Sequence, residues 1–310
     1  MINIYEAIDA NKRKSALVVI FFLIFITAAI YFIGQAFGIY LGYEPGGLGF
    51  VGLALIISGF MSFTGYYFSD RIVLTISGAK PADRKKHFDF YTVSENLSLA
   101  AGISKPKLFV IEDTATNAFA TGRDPEHAVV VATTGILDKL TRVELEGVIA
   151  HELSHVRHYD TRLMSIVSVL VGSVALLGDW LIRMQWYGGR RSDSKGGSQI
   201  QALFMILGIL LAILSPIIAN LIKLAISRRR EFLADAGAIS ITKQPSGLIS
   251  ALKKISADKE ALEVANKATA HLYIINPFKG KEKSGVRWFS KMFNTHPPIT
   301  ERIRTLQQMS

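Results

Sequence analysis

Residues 141–156 read Thr141-Arg142-Val143-Glu144-Leu145-Glu146-Gly147-Val148-Ile149-Ala150-His151-Glu152-Leu153-Ser154-His155-Val156. Thr141 followed three residues later by Glu144 is a capping box, the signature of a helix start. Val143, Val148, Ile149, Leu153 and Val156 then recur at near-helical spacing, which predicts a helix buried through this run. At about 100° per residue, positions four apart share a helix face, so His151 and His155 can reach one metal ion while Glu152 points toward the water it activates. Two imidazoles on an otherwise apolar helix are costly to bury unless something satisfies them, and a divalent cation does so.

A catalytic zinc takes a third protein ligand and keeps one open position. Downstream, Arg228-Arg229-Arg230-Glu231-Phe232-Leu233-Ala234-Asp235 continues from an apolar segment and predicts a second helix, with Glu231 and Asp235 four apart on one face. Glu231 is the expected third ligand. Asp235 is placed to accept a hydrogen bond from the second nitrogen of a ligating histidine. His158 lies about 10 Å along the helix from His151, too far to join the same tetrahedron, so a surface or outer role is expected for it.

The chain has 310 residues, half of them hydrophobic, and no cysteine, which excludes disulfides, thiolate nucleophiles and cysteine zinc fingers. The formal charge of +10 lies mostly beside apolar segments and fits anionic lipid better than nucleic acid, which is not an expected partner. Ala16 to Phe37 and Leu48 to Phe68 each reach the roughly 20 apolar residues needed to cross a hydrocarbon core. The Gly/Pro turn between them carries no Lys or Arg. Lys12, Arg13 and Lys14 before the pair, and Arg71, Lys80, Arg84, Lys85 and Lys86 after it, place both flanks in the cytoplasm. The first run is too long for a signal-peptide core and has no small-residue cleavage site, so no cleavable leader is expected. Two further apolar segments, about Leu163 to Ile182 and Ile200 to Ile226, return the chain to the same side; Asp179 in the first of them reads as interfacial. Four units follow: an N-terminal transmembrane hairpin, residues 1–68; the first part of a catalytic domain, 69–162; a second hydrophobic helix pair, 163–226; and the second part of that domain, 227–310.

Taken with Asn117-Ala118-Phe119-Ala120-Thr121-Gly122 and with His296-Pro297-Pro298 before Glu301-Arg302-Ile303, these elements resemble the HtpX-type membrane metalloproteases, which are related to the CAAX prenyl endopeptidases. The resemblance covers nearly the whole chain. It implies an α+β, mainly α-helical integral membrane protein: four hydrophobic helices and a gluzincin-like cytoplasmic domain with a small β-sheet. It further implies one Zn²⁺ held by His151, His155 and Glu231, with Glu152 as the base. The implied role is stress-linked quality control in the cell membrane, by cleavage of unfolded or misassembled membrane proteins at the cytoplasmic side.

Lys107 to Glu112 and Ala128 to Thr133 read as short strands flanking the Asn117 segment. They suggest a sheet whose edge, at Asn117, Ala118, Phe119 and Ala120, pairs with an extended peptide substrate. His296 is a candidate donor to the oxyanion, with Arg302 orienting it, although Pro297 and Pro298 equally suit a rigid turn before a helix. Two rivals use the same residues differently. A prenyl-peptide endopeptidase needs an enclosed membrane chamber, for which four short spans are few. An inactive scaffold has no use for Glu152 between two ligands.

Overall fold

The computed structural model describes residues 4–40, 48–170, 228–258, 260–264, 269–274, 277 and 297–309. Helix α1 (Ile4–Tyr40) extends a dozen residues ahead of the apolar run, because the polar segment from Ile4 to Ser15 is itself free of Gly and Pro. It packs against α2 (Leu48–Tyr67), and Thr27 Oγ1 and Ser58 Oγ share a hydrogen bond of 2.6 Å across the pair. Among the described residues no helix is long and apolar enough to cross a membrane; several apolar side chains of α1, Phe22, Phe25 and Ile26 among them, lie outside that description. Two of the four expected hydrophobic helices are α1 and α2. The third is described only to residue 170, and the fourth, with Asp179 and the linker before it, lies outside the described residues.

After α3 (Ser69–Ile76) and strand β1 (Lys80–Pro81) come α4 (Phe88–Ala101), β2 (Lys107–Ile111), β3 (Ala118–Thr121), β4 (Val129–Thr133) and α5 (Thr134–Lys139). The sheet runs β1-β2-β4-β3, parallel between β2 and β4 and antiparallel at both flanks. Its central strand, Val129-Val130-Val131-Ala132-Thr133, is buried throughout, as an uninterrupted apolar run requires when both faces are covered. Alternation then sorts the side chains. Val130, Ala132, Ala118 and Ala120 join a core with α4, α6 (Arg142–Arg157) and α8 (Pro245–Ala257), while Val129, Val131 and Phe119 join one with α3, the helical stretch 160–170 and Leu272-Tyr273. Burial of each large side chain in these clusters is worth about 1.5–3 kcal/mol.

Helix α6 lies at the centre of the first core, between α8 and α7 (Arg228–Thr242). Glycines permit both approaches: a Cβ on Gly147 would stand 2.5 Å from the Leu248 nitrogen, and one on Gly237 2.0 Å from Ser154 Oγ. A last helix, α9 (Ile299–Gln307), follows Pro298 and packs on α8 and α7.

The start of α6 is fixed as the capping box predicts. The Glu144 carboxylate accepts from the Thr141 backbone N–H at 2.8 Å and from Lys254 Nζ at 2.7 Å, while Ser250 Oγ donates to it at 2.6 Å. Burial alone would raise its pKa, but these donors outweigh it and hold the group at about 2 against an ordinary 4.5. A depressed carboxyl stabilises the fold above its unfolded value, and that contribution fades as pH falls from about 4.5 toward about 2. Glu144→Ala is therefore expected to cost about 1–2 kcal/mol near neutral pH. The gap to wild type should narrow in acid, as denaturant titrations near neutrality and in mild acid would measure; a gap of equal size at both would contradict the assignment.

Candidate active site

Helix α6 presents His151, Glu152 and His155 at its buried face, and α7 brings Glu231 and Asp235 against them. The Nε2 atoms of His151 and His155 lie 3.2 Å apart. Glu231 reaches both, Oε2 at 3.7 Å from His151 Nε2 and Oε1 at 3.7 Å from His155 Nε2. One ligand atom from each of the three residues falls within 4.8 Å of the others. Two imidazole edges turned toward one another and a carboxylate, all buried, form a donor set that fits a divalent cation.

The outer nitrogens are also held. His151 Nδ1 lies 3.0 Å from Asp235 Oδ1, and His155 Nδ1 lies 3.0 Å from Asp160 Oδ2. Arg302, 1 % exposed and contributed by α9, donates to Asp235 through Nε at 2.9 Å and Nη2 at 2.6 Å, and its Nη1 lies 3.6 Å from Glu231. Burial and the Arg302 charge oppose protonation of His151, yet hydrogen bonds to Asp235 and Glu231 prevail and raise it to about 9. Protons therefore compete with a cation for this residue. Burial pushes the Glu152 carboxyl above its usual range, against the pull of both imidazoles and of a hydrogen bond from the Ala120 backbone.

Residues 86–310 match the family described as Peptidase family M48. The chain belongs to that family. A protein named Protease HtpX homolog from Dictyoglomus turgidum is 43 % identical over 98 % of this chain and 94 % of its own. Proteins of the same name from Thermoanaerobacter pseudethanolicus, 40 % identical over 99 % and 98 %, and Streptococcus uberis, 39 % identical over 99 % and 100 %, are similar along their whole lengths. Among solved structures, S. mikatae Ste24p overlaps 89 % of this chain and 61 % of its own at 20 % identity and a TM-score of 0.45.

This M48 chain is thus a metallopeptidase, and its buried cluster of His151, His155 and Glu231 is compatible with a metal site. A narrow cleft opens on His151, Glu152, His155 and Glu231, walled by Ala120, Met164, Leu272 and Ile274. Strand β3 lies at the sheet edge beside it, as expected of the Asn117 segment, but that edge is not bare. The Ile274 N–H donates to the Ala118 carbonyl at 3.1 Å, and Tyr273 meets Phe119 edge-on, their ring centroids 5.0 Å apart. Asn117 is tied inward, its backbone N–H donating to Thr133 Oγ1 at 3.0 Å and its side-chain oxygen accepting from the Ala118 N–H at 3.1 Å. His296 lies outside the described residues. Arg302 is locked in a fork with Asp235, and its Nη2 lies 3.4 Å from His151 Nε2. His158 is buried rather than at the surface, its Nδ1 3.5 Å from Ser154 Oγ.

Sequence reasoning missed Asp160. Tyr159 adopts φ 60°, a left-handed conformation that costs a non-glycine residue roughly 1–2 kcal/mol. That kink, which no Gly or Asn announces, returns Asp160 to His155. The one available signal was a carboxylate five positions beyond the second histidine.

Proposed function

We propose that this M48 chain is a zinc-dependent endopeptidase, anchored by its α1–α2 hairpin and cleaving unfolded or damaged membrane proteins at the cytoplasmic face. The observation that carries the reading is the convergence of His151, His155 and Glu231 within 4.8 Å, with Glu152 beside them. The proposed division of the chain follows: a hairpin over 1–68, a catalytic domain assembled from 69–162 and 227–310, and a second hydrophobic pair over 163–226.

His151, His155 and Glu231 would hold a zinc ion, which would supply Lewis acidity toward the scissile carbonyl and make the attacking water more acidic. Glu152 takes the proton of the attacking water and hands it to the leaving amine. Asp235 and Asp160 fix the tautomers and orientations of His151 and His155, and Arg302 keeps Asp235 ionised and aimed. The substrate backbone pairs with β3 in place of the Ile274 N–H at Ala118, along Asn117 to Ala120. Met164 and Leu272 beside the cleft favour an apolar substrate side chain. His296 is proposed as a donor to the oxyanion.

Membrane attachment is supported by the two helices' exposed faces. Leu17, Ile20 and Ile24 on α1, and Leu53, Ile56, Phe60 and Phe63 on α2, recur three or four residues apart and are between 50 % and 72 % exposed. Continuous apolar stripes of this kind are unfavourable in water and favourable in lipid. The Lys and Arg residues flanking both helices support the cytoplasmic orientation.

Detergent-purified protein is expected to cleave an unfolded polypeptide, to lose that activity on chelation and to recover it with zinc. Inside-out membrane vesicles should cleave added substrate, and sealed right-side-out vesicles should not. Activity that survives chelation would overturn the metal reading, and cleavage by right-side-out vesicles alone would overturn the orientation.

A further inference from the structure

Helix α6 ends at Arg157, and the next helical stretch begins at Asp160. Were α6 to run on unbroken, residue 160 would lie roughly 140° around the helix from His155, facing away from it. The left-handed Tyr159 breaks the run, and only then does the Asp160 carboxylate reach His155 Nδ1, at 3.0 Å. What holds this turn comes from the other end of the chain. Asn11 of α1, buried at 3 % exposure, uses its amide group twice: Nδ2 donates to the His158 carbonyl at 2.9 Å and to Asp160 Oδ1 at 2.7 Å. Its neighbour Lys12 places Nζ 4.7 Å from the centre of the Tyr159 ring. All three residues of the turn are thus gripped by two consecutive residues of the first helix. The same oxygen, Asp160 Oδ1, also lies 3.5 Å from Nε of Arg230, one residue before Glu231.

We infer that Asn11 is a positioning residue for the metal site: it fixes the turn at 158–160 so that Asp160 orients His155. The inference rests on the proposed reading of His155 as a ligand. It gives the N-terminal hairpin a second task, because the helix that carries the apolar run also completes the support of the catalytic centre. Buried outer partners of metal-bound histidines characteristically change metal affinity by 10- to 100-fold when removed. An Asn, whose NH₂ group offers two donors, can bridge a carbonyl and a carboxylate as an apolar side chain cannot.

The test is a double-mutant cycle read as zinc affinity, by competition with a chromogenic chelator, on the full chain in detergent, with secondary structure followed in parallel. Asn11→Ala and Asp160→Ala are each expected to weaken zinc binding about 10-fold or more, and the double variant should be no weaker than Asp160→Ala alone. Ser15→Ala, on the same helix and with its hydroxyl donating to the Asn11 carbonyl, should bind zinc as wild type does. Asn11→Ser, a milder change too short to bridge both acceptors, is measured alongside in case the alanine variant does not fold. Wild-type affinity in a folded Asn11 variant would overturn the inference, as would losses that multiply in the double variant. Variants that lose zinc only together with their secondary structure would overturn it too, since the loss then belongs to folding. A wild-type chain that binds no zinc would instead sink the metal reading, and the inference with it.

Discussion

Glu152→Gln is expected to lower the rate of peptide cleavage about 100- to 10,000-fold, the range for a lost general base, while metal content stays at the wild-type level. Glu152 faces the same cleft as His151, His155 and Glu231 but is not one of the three residues whose ligand atoms converge. Gln has the same shape, leaves an oxygen for the Ala120 N–H that bonds the native carboxylate, and removes a charge that burial disfavours. The fold should therefore hold and the chemistry should fail. Rates measured under single-turnover conditions separate the chemical step from binding. A variant within about tenfold of wild type would assign the base elsewhere.

Arg302→Met is expected to be among the most destabilising single substitutions in the chain, by about 3–5 kcal/mol, the range for breaking a buried ion pair from one side. Arg302 is 1 % exposed and donates twice to Asp235, with Glu231 nearby. Its loss leaves two buried carboxylates facing each other across His151, with one counter-charge fewer. The double variant Arg302→Met with Asp235→Leu should regain part of the stability, because replacing both partners removes the unpaired charge. Chemical denaturation in detergent measures both. A single-variant loss below about 1 kcal/mol would mean that the pair is hydrated, contrary to its burial.

How much of this was legible in the sequence depends on the range of the interaction. The capping box, the buried helix after it and the strands at Lys107 and Val129 are local patterns, and each lies in the fold within a residue or two of its predicted bounds. Glu231 and Asp235 were legible because helical spacing alone puts them on one face. Spacing does not say which histidine Asp235 serves; that is settled by how α7 crosses α6, where Gly237 admits Ser154. Asp160 and Asn11 were hidden for a stronger reason. Their meeting depends on a left-handed tyrosine and on two residues separated by 149 positions, neither of which leaves a periodic trace. Arg302 belongs to the same class: the Pro-Pro turn before it predicts the helix start, but not that its guanidinium is buried against Asp235. The covering of β3 by Ile274 is likewise a long-range event, in a segment whose sequence has no strand pattern.

On the proposed reading, His151, His155 and Glu231 together hold one catalytic metal ion. Elemental analysis of purified wild-type protein and Glu231→Ala, each equilibrated with zinc and freed of excess, tests it most directly. One zinc per wild-type chain is expected, with a markedly reduced content in Glu231→Ala at unchanged secondary structure. Full zinc occupancy in Glu231→Ala would contradict the ligand assignment, and a wild-type chain that stays without zinc would contradict the metal centre itself.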